Sequence, residues 1–265
     1  MTENSPVVAV AHFVLKEKHK TKGAEFEKAY TKYKQAVSTK DGLLRTALLR
    51  GIREPDSFVI LTWWRDADAH RTVVGDWQFF TAVSSRFVYL AAITSVHGPV
   101  LAGESAADGL GELAVPSADA AVALTTFTLR EGADQQAFEA SFLGHLAFVK
   151  DHDGFLGHQL VHSNRETSAY VNIGWWSGPQ AYLPVLQSPE MAADAKTMAV
   201  HAEVLGGLYT AVVDSARSRS ASSAASVTVR SASARASART RSASSVERAA
   251  SDSASLAASE TSRSA

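Results

Sequence analysis

The sequence predicts an α+β fold in which one ferredoxin-like βαββαβ unit is used twice, followed by a disordered tail. Three observations predict it. Residues 41–64 align with residues 153–176 without a gap. Each aligned segment is flanked by the same succession of apolar runs and helix-period stretches. Beyond Ser215 the chain is almost wholly Ser, Ala and Arg with no aromatic residue, so it cannot bury a core.

In the repeat, Asp41-Gly42 matches Asp153-Gly154, Arg53-Glu54 matches Arg165-Glu166, Val59 matches Val171, and Trp63-Trp64 matches Trp175-Trp176. The same offset pairs Phe26-Glu27 with Phe138-Glu139 and Ala69 with Ala181, while the first strands need a two-residue slip that sets Phe13 against Phe127. Paired tryptophans at one offset mark a divergent duplication.

The elements follow in order. Apolar runs Val7 to Leu15 and Ala121 to Leu129 open the copies as strands, and the amphipathic stretches Gly23 to Ser38 and Ala133 to Lys150 predict helices. The two Asp-Gly pairs break the chain, and hairpins follow: Leu43 to Arg50 with Ser57 to Trp64, and Phe155 to His162 with Ala169 to Trp176. A polar helical stretch begins near Asp66 and near Gly178, and apolar runs Phe87 to Leu101 and Leu205 to Val213 close the copies. The expected domains are therefore residues 1–101 and 119–214, joined by a Gly/Ala/Ser/Glu-rich linker at 102–118 that contains Pro116, with the tail at 215–265.

Composition narrows the function. Hydrophobic residues make up 46% of the chain and charged residues 20%, which suits a soluble globular protein. The tail carries eight arginines against Glu247, Asp252 and Glu260, so the overall charge of −1 leaves the folded part mildly acidic, which gives no reason to expect nucleic-acid binding. The absence of cysteine removes thiol nucleophiles, disulfides and cysteine–metal centres, and fits a reducing interior. No signal peptide and no apolar run of membrane-spanning length is visible, so a cytoplasmic protein with no membrane partner is expected. The Gly109-Leu110-Gly111 segment lacks the strand, third glycine and helix of a dinucleotide loop.

The neighbourhood of Trp176 is specific enough to carry a resemblance. His162 lies on the predicted second strand of the second copy, Asn172 four residues before Trp176 on the third, Tyr182 six residues after it, and Lys196 about twenty after it. That pattern resembles the antibiotic biosynthesis monooxygenase superfamily, in whose anthrone-oxidising branch a His, an Asn, a Trp, a Tyr and a basic residue, usually Arg, line the pocket. The resemblance implies modules that pair into a dimeric α+β barrel, here fused within one chain. It also implies an oxygenase acting on an electron-rich aromatic polyketide (anthrone, hydroquinone or angucycline intermediate) with O2 as co-substrate and no tightly bound cofactor. The tandem architecture resembles the oxygenases that open the angucycline B ring beside a flavin reductase, so reduced flavin and such a reductase are the expected alternatives. It leaves open whether the fused chain forms a homo-oligomer.

By the same resemblance His162, Asn172, Trp176 and Tyr182 are the candidate catalytic residues. Lys196 and His158 are candidate substrate contacts, with Trp64 and His70 at the corresponding positions of the first copy. There Arg50 and Ile60 replace the His and Asn, and Ser84 the basic residue, so the second copy is expected to hold the working pocket and the first to act mainly as a structural partner, unless it holds a diverged second site. Alternation puts Tyr170, Asn172, Gly174 and Trp176 on one face, and His158 and His162 share a face of the preceding strand. On a strand those two histidines lie about 13 Å apart, too far to chelate one metal. Trp63 and Trp175 are expected to pack.

Triplet O2 reacts slowly with closed-shell molecules, so a protein without metal or flavin needs a substrate that forms a phenolate or anthrone anion. His162 or Tyr182, with Lys196 tuning the field, would assist deprotonation, and Asn172 and Trp176 would donate hydrogen bonds to the developing oxyanion or peroxide. Two other readings compete. A related haem-degrading branch carries a haem-ligating His about ten residues after the Trp, where this chain has Val74 and Leu186. A barrel that only binds an aromatic polyketide would use the same pocket residues without consuming O2.

Overall fold

A computed structural model describes residues 5–105, 120–166 and 168–212. Its elements are β1 (Val7–Leu15), α1 (Gly23–Val37), β2 (Leu43–Gly51), β3 (Ser57–Trp64), α2 (Ala67–Val74), α3 (Trp77–Val83), α4 (Ser85–Leu90) and β4 (Ala91–Ser105), and then β5 (Ala121–Leu129), α5 (Gln135–Val149), β6 (Phe155–His162), β7 (Ala169–Trp176), α6 (Pro179–Leu186), α7 (Pro189–His201) and β8 (Ala202–Ala211). The strands close into one antiparallel barrel in the order β1-β3-β2-β8-β5-β7-β6-β4. The first half supplies four adjacent strands and the second half the other four. They meet at two seams, β2 with β8 and β4 with β6.

Strand alternation sorts the side chains. Val8, Val10, Leu49, Val59, Leu61 and Trp63 of the first half meet Val122, Leu124, Val161, Val171, Ile173 and Trp175 of the second inside the barrel. The other face of each sheet lies under helices, so β3 is buried at every position and β7 at every position but Asn172. Trp63 and Trp175 thus pack in the interior, where Trp63 Nε1 donates to Gln159 Oε1 at 2.9 Å.

The repeated Asp-Gly turns have a steric cause. Gly42 and Gly154 adopt φ of 77° and 83°, and a Cβ on Gly42 would collide with Ala69. One on Gly154 would lie 2.5 Å from Ser177 Oγ and 2.6 Å from Ala181 Cβ. The Ala69/Ala181 match in the sequence is the partner side of that close approach. Helix starts are capped by Asp66, Asp76, Asp134 and Ser188, whose side chains accept from backbone N–H groups in the first turn.

The largest differences from the expected boundaries lie at the end of the first half. The run from Phe87 is not all strand: Ser85–Leu90 is helical, because Phe87 and Leu90, one turn apart, both face the cluster built on Phe13 and Phe26. A short apolar run does not reveal that by composition. The strand that follows runs to Ser105, pairing Ala102 with Leu160 and Gly103 with Gln159, so the first four residues read as linker belong to a seam. Ladder hydrogen bonds need only backbone, which small residues supply. The rest of that linker, residues 106–118 with Pro116 among them, and the 215–265 tail lie outside the described residues. Among the described residues no helix is long and apolar enough to cross a membrane.

Candidate active site

In the second half the helix-facing side of the sheet does not close completely against its helices. A cavity of about 260 Å³ remains between β5, β6, β7 and β8 on one side and α5, α6 and α7 on the other. That is slightly below the ~300–1,000 Å³ common for small-molecule sites, so it suits a compact ligand. Its walls are largely apolar, with Phe142, Leu146, Phe155 and Met191 among them, and its polar groups are few: His145, His158, Asn172, Tyr182 and Asp194, with Thr125 and the indole of Trp176.

β7 positions the floor. Asn172, Gly174 and Trp176 project to the helix side, and Asn172 lies between Thr125 of β5 and Leu160 of β6. Asn172 Oδ1 is buried and has no hydrogen-bond partner among the described residues, which leaves that oxygen to accept from a ligand N–H or O–H. Trp176 is buried, its ring 5.1 Å from Tyr182 and 5.3 Å, edge-on, from Phe155. His158, opposite Gly174 in the β6–β7 ladder, is buried against Phe142 and Phe155. Burial pushes the Tyr182 phenol above its ordinary range, so it stays protonated and acts as a donor near neutral pH.

Of the residues singled out in the sequence, Asn172, Trp176, Tyr182 and His158 thus meet in one cavity. His162 does not join them. It faces the same side of β6 but is paired with Tyr170, on whose ring it stacks at 4.3 Å and 10°, and it is not part of the cavity wall. Lys196 is exposed on α7 and also lies outside the wall, to which Asp194, two residues earlier, contributes instead.

Trp64 and His70 occupy the equivalent place in the first half, among packed aromatic rings. Tyr33 stands where His145 stands in the second half, and its ring packs beside Tyr30, Phe79 and Phe87. Trp64 Nε1 donates to Thr62 Oγ1 at 3.0 Å. In the second half the position of Thr62 is Gly174, so that acceptor is missing beneath Trp176. His70 packs between Trp64 and His97, with ring centroids 5.8 Å and 4.8 Å away, and burial with the neighbouring His97 lowers its pKa to about 4.

Sequence reasoning missed His145 and Asp194. His145 Nδ1 lies 3.1 Å from Asp194 Oδ2, joining α5 to α7 at the cavity wall. The signal was present in α5, where Phe138, Phe142, Leu146 and Val149 form the buried stripe and His145 is a polar residue at its edge.

The comparisons with known proteins agree with this architecture. The family model described as antibiotic biosynthesis monooxygenase matches residues 6–75 and again residues 120–196. The barrel is similar to the structure of an anthrone oxidase-like protein, with 18% identity and a TM-score of 0.65 over 80% of this chain and 93% of that one. It is also similar to a structure from Fusobacterium nucleatum, with 12% identity and a TM-score of 0.60 over 80% and 94%. SnoaB, a cofactor-independent oxygenase from Streptomyces nogalater, is 27% identical over 37% of this chain and 97% of its own, with a TM-score of 0.34. No curated protein sequence matches the chain significantly.

Proposed function

The chain belongs to the antibiotic biosynthesis monooxygenase family and is an oxidoreductase; from that premise we propose that its second-half cavity binds an electron-rich aromatic polyketide and lets it react with O2. The observation that carries this reading is the convergence of Asn172, Trp176, Tyr182 and His158 on one apolar cavity. At the equivalent place in the first half, Trp64, Tyr33 and Phe79 pack together in one apolar cluster.

The substrate class is an anthrone, hydroquinone or angucycline-type ring system. The apolar walls and the Trp176, Tyr182 and Phe155 rings suit a flat aromatic body, and the polar groups at the floor suit its oxygens. Deprotonation of the substrate leaves an electron pair on the ring system. The anion passes one electron to O2, and recombination of the two radicals forms a carbon–oxygen bond to a peroxide. Asn172 and Trp176 N–H stabilise the oxyanion and then the peroxide, and Tyr182 donates to it. Loss of water from the protonated hydroperoxide of a CH2 centre leaves a carbonyl, so that CH2 and O2 become C=O and H2O. Rearrangement of the same species would cleave a ring.

No resident cofactor is needed for this sequence, since the substrate is the reductant. Reduced flavin from a separate reductase is the alternative source of electrons. The deciding experiment measures O2 uptake and product mass with a reduced anthrone or hydroquinone, with and without a flavin reductase, NADH and FAD. Uptake without flavin is the expected result. Uptake only with flavin moves the reaction to the flavin-dependent type, and ligand binding without uptake in either case makes the barrel a binding module.

A further inference from the structure

We infer that His145, oriented by Asp194, is the group that takes the substrate's proton in this cavity and later returns it. The inference rests on the reading of the cavity as a site for an ionisable aromatic, and it assigns the proton acceptor that the reading requires.

The geometry is that of a carboxylate–imidazole pair. Asp194 Oδ2 lies 3.1 Å from Nδ1 of His145, so the carboxylate holds the proton on Nδ1 and leaves the lone pair of Nε2 as the basic site. The two residues come from different helices, α5 and α7, and both line the cavity that holds Asn172 and Trp176. The Phe142 ring, 6.3 Å from that of His145, gives the imidazole an apolar flank.

The surroundings fix the charge logic. The titratable groups that share the cavity wall with His145 are its partner Asp194 on α7, His158 on β6 and Tyr182 on α6. The residues that β5, β7 and β8 contribute, among them Thr125, Asn172 and Gly206, carry no titratable group. Proton transfer from a substrate O–H or activated C–H to Nε2 leaves the bond's electron pair on the substrate. It turns the neutral imidazole into an imidazolium, and the charge of Asp194 stabilises it. When the peroxide forms, the same proton moves from Nε2 to its terminal oxygen.

The pair is confined to the half with the cavity. Tyr33 and Ala82 stand at the corresponding positions of the first half, where a phenol and a methyl group cannot make it. Of the two residues expected from the sequence to assist deprotonation, His162 lies outside the cavity wall, as does the field-tuning Lys196, and Tyr182 lies in it as a phenol that burial keeps protonated, so the assignment moves the base to α5.

The test separates proton transfer from oxygen chemistry. With 1,8-dihydroxyanthrone kept anaerobic, the full chain is expected to bind the probe and develop the absorption of its anion at a pH where the free probe is neutral. His145→Gln is expected to bind it with the ratio of anion to neutral form lowered at least tenfold, and Asp194→Asn, which keeps a polar side chain of the same shape, to lower it less. A ratio unchanged in both variants, or wild-type binding without the anion band, overturns the assignment. O2 admission to the wild-type complex then tests the oxygenase reading alone, since an anion that forms but consumes no O2 sinks that reading and leaves His145 as the base. In turnover, the acidic limb of the kcat/KM profile is expected to vanish in His145→Gln, with a loss on the order of 100-fold or more. A helix clasp without a chemical role would shift the melting temperature and leave the limb in place.

Discussion

Trp64 and Thr62 form a closed hydrogen-bonded pair, indole Nε1 to Oγ1 at 3.0 Å, while the equivalent tryptophan of the second half, Trp176, has Gly174 in place of the threonine. A duplicated tryptophan has thus been satisfied within the protein in one half and left facing a cavity in the other. A Cβ on Gly174 would lie 3.5 Å from Trp176 Nε1, an ordinary contact, so the backbone there accepts a side chain. Gly174→Thr is expected to fold normally and to lower kcat/KM about tenfold or more by engaging the indole donor. The reciprocal Thr62→Gly is expected to cost about 2 kcal/mol of stability and to leave turnover unchanged. Steady-state kinetics beside urea melts check both, and full activity in Gly174→Thr would remove Trp176 from the proposed chemistry.

The stacking of His162 on Tyr170 yields the second prediction. Tyr170 is anchored by its hydroxyl donating to Glu139 Oε1 at 2.8 Å, so the imidazole rests on a fixed ring. His162→Ala is expected to cost about 1 kcal/mol of stability and to change kcat by no more than about twofold, far from the 100-fold or greater loss of a missing general base. Kinetics on the purified variant decide; a large loss of kcat at unchanged stability would return His162 to the site.

These residues show what could be read in the sequence. Strand parity put Asn172, Gly174 and Trp176 on one face and gave His158 and His162 a common side, and the register agrees. Parity says nothing about how far along a strand the helices stand off. Leu160 and Tyr170 are packed under α5 and α7, and that packing ends the cavity before His162. Nor does it show which residues of two helices meet. His145 and Asp194 lie 49 residues apart, and only the crossing of α5 with α7 pairs them. The Asp-Gly/Ala repeat was legible because a steric contact constrains both partners, whereas the helix Ser85–Leu90 was hidden in an apolar run that carries no period of its own.

Acid should weaken the barrel through His70. Burial and the adjacent His97 lower its pKa from 6.5 to about 4, so the folded protein keeps His70 neutral where the unfolded chain protonates it. The unfolded state therefore binds more protons between those values. Stability is full above about pH 6.5, falls as the pH drops toward 4, and by this group alone loses about 3 kcal/mol. His97 and His12, both lowered chiefly by burial, act in the same direction. Urea melts at pH 7 and pH 4.5 are expected to show the loss in wild type and a smaller one in His70→Gln. Equal losses in the two proteins would show that His70 is not the sensor.

Next to one of the two seams between the halves, a glycine permits a close backbone approach. At Gly98 of β4, a Cβ would run into the backbone carbonyl of His162 and lie 3.2 Å from the backbone nitrogen of Asn164. The β6–β7 turn crosses there, with Asn164 N–H donating to the His97 carbonyl at 2.9 Å. Both clashing atoms are main chain, so no side-chain rotation relieves them. Gly98→Val must push the β6–β7 turn away from β4 or break that hydrogen bond, and a loss of about 3 kcal/mol is expected. Gly206→Ala is the matched control: a Cβ there meets only Thr125 Oγ1, at 3.8 Å, so it is expected to shift stability by less than about 1 kcal/mol. Because β4–β6 is one of two seams that close the barrel, Gly98→Val is also expected to expose tryptophan fluorescence to quencher before global unfolding. A variant as stable as wild type would mean that the seam can be rebuilt without this close approach.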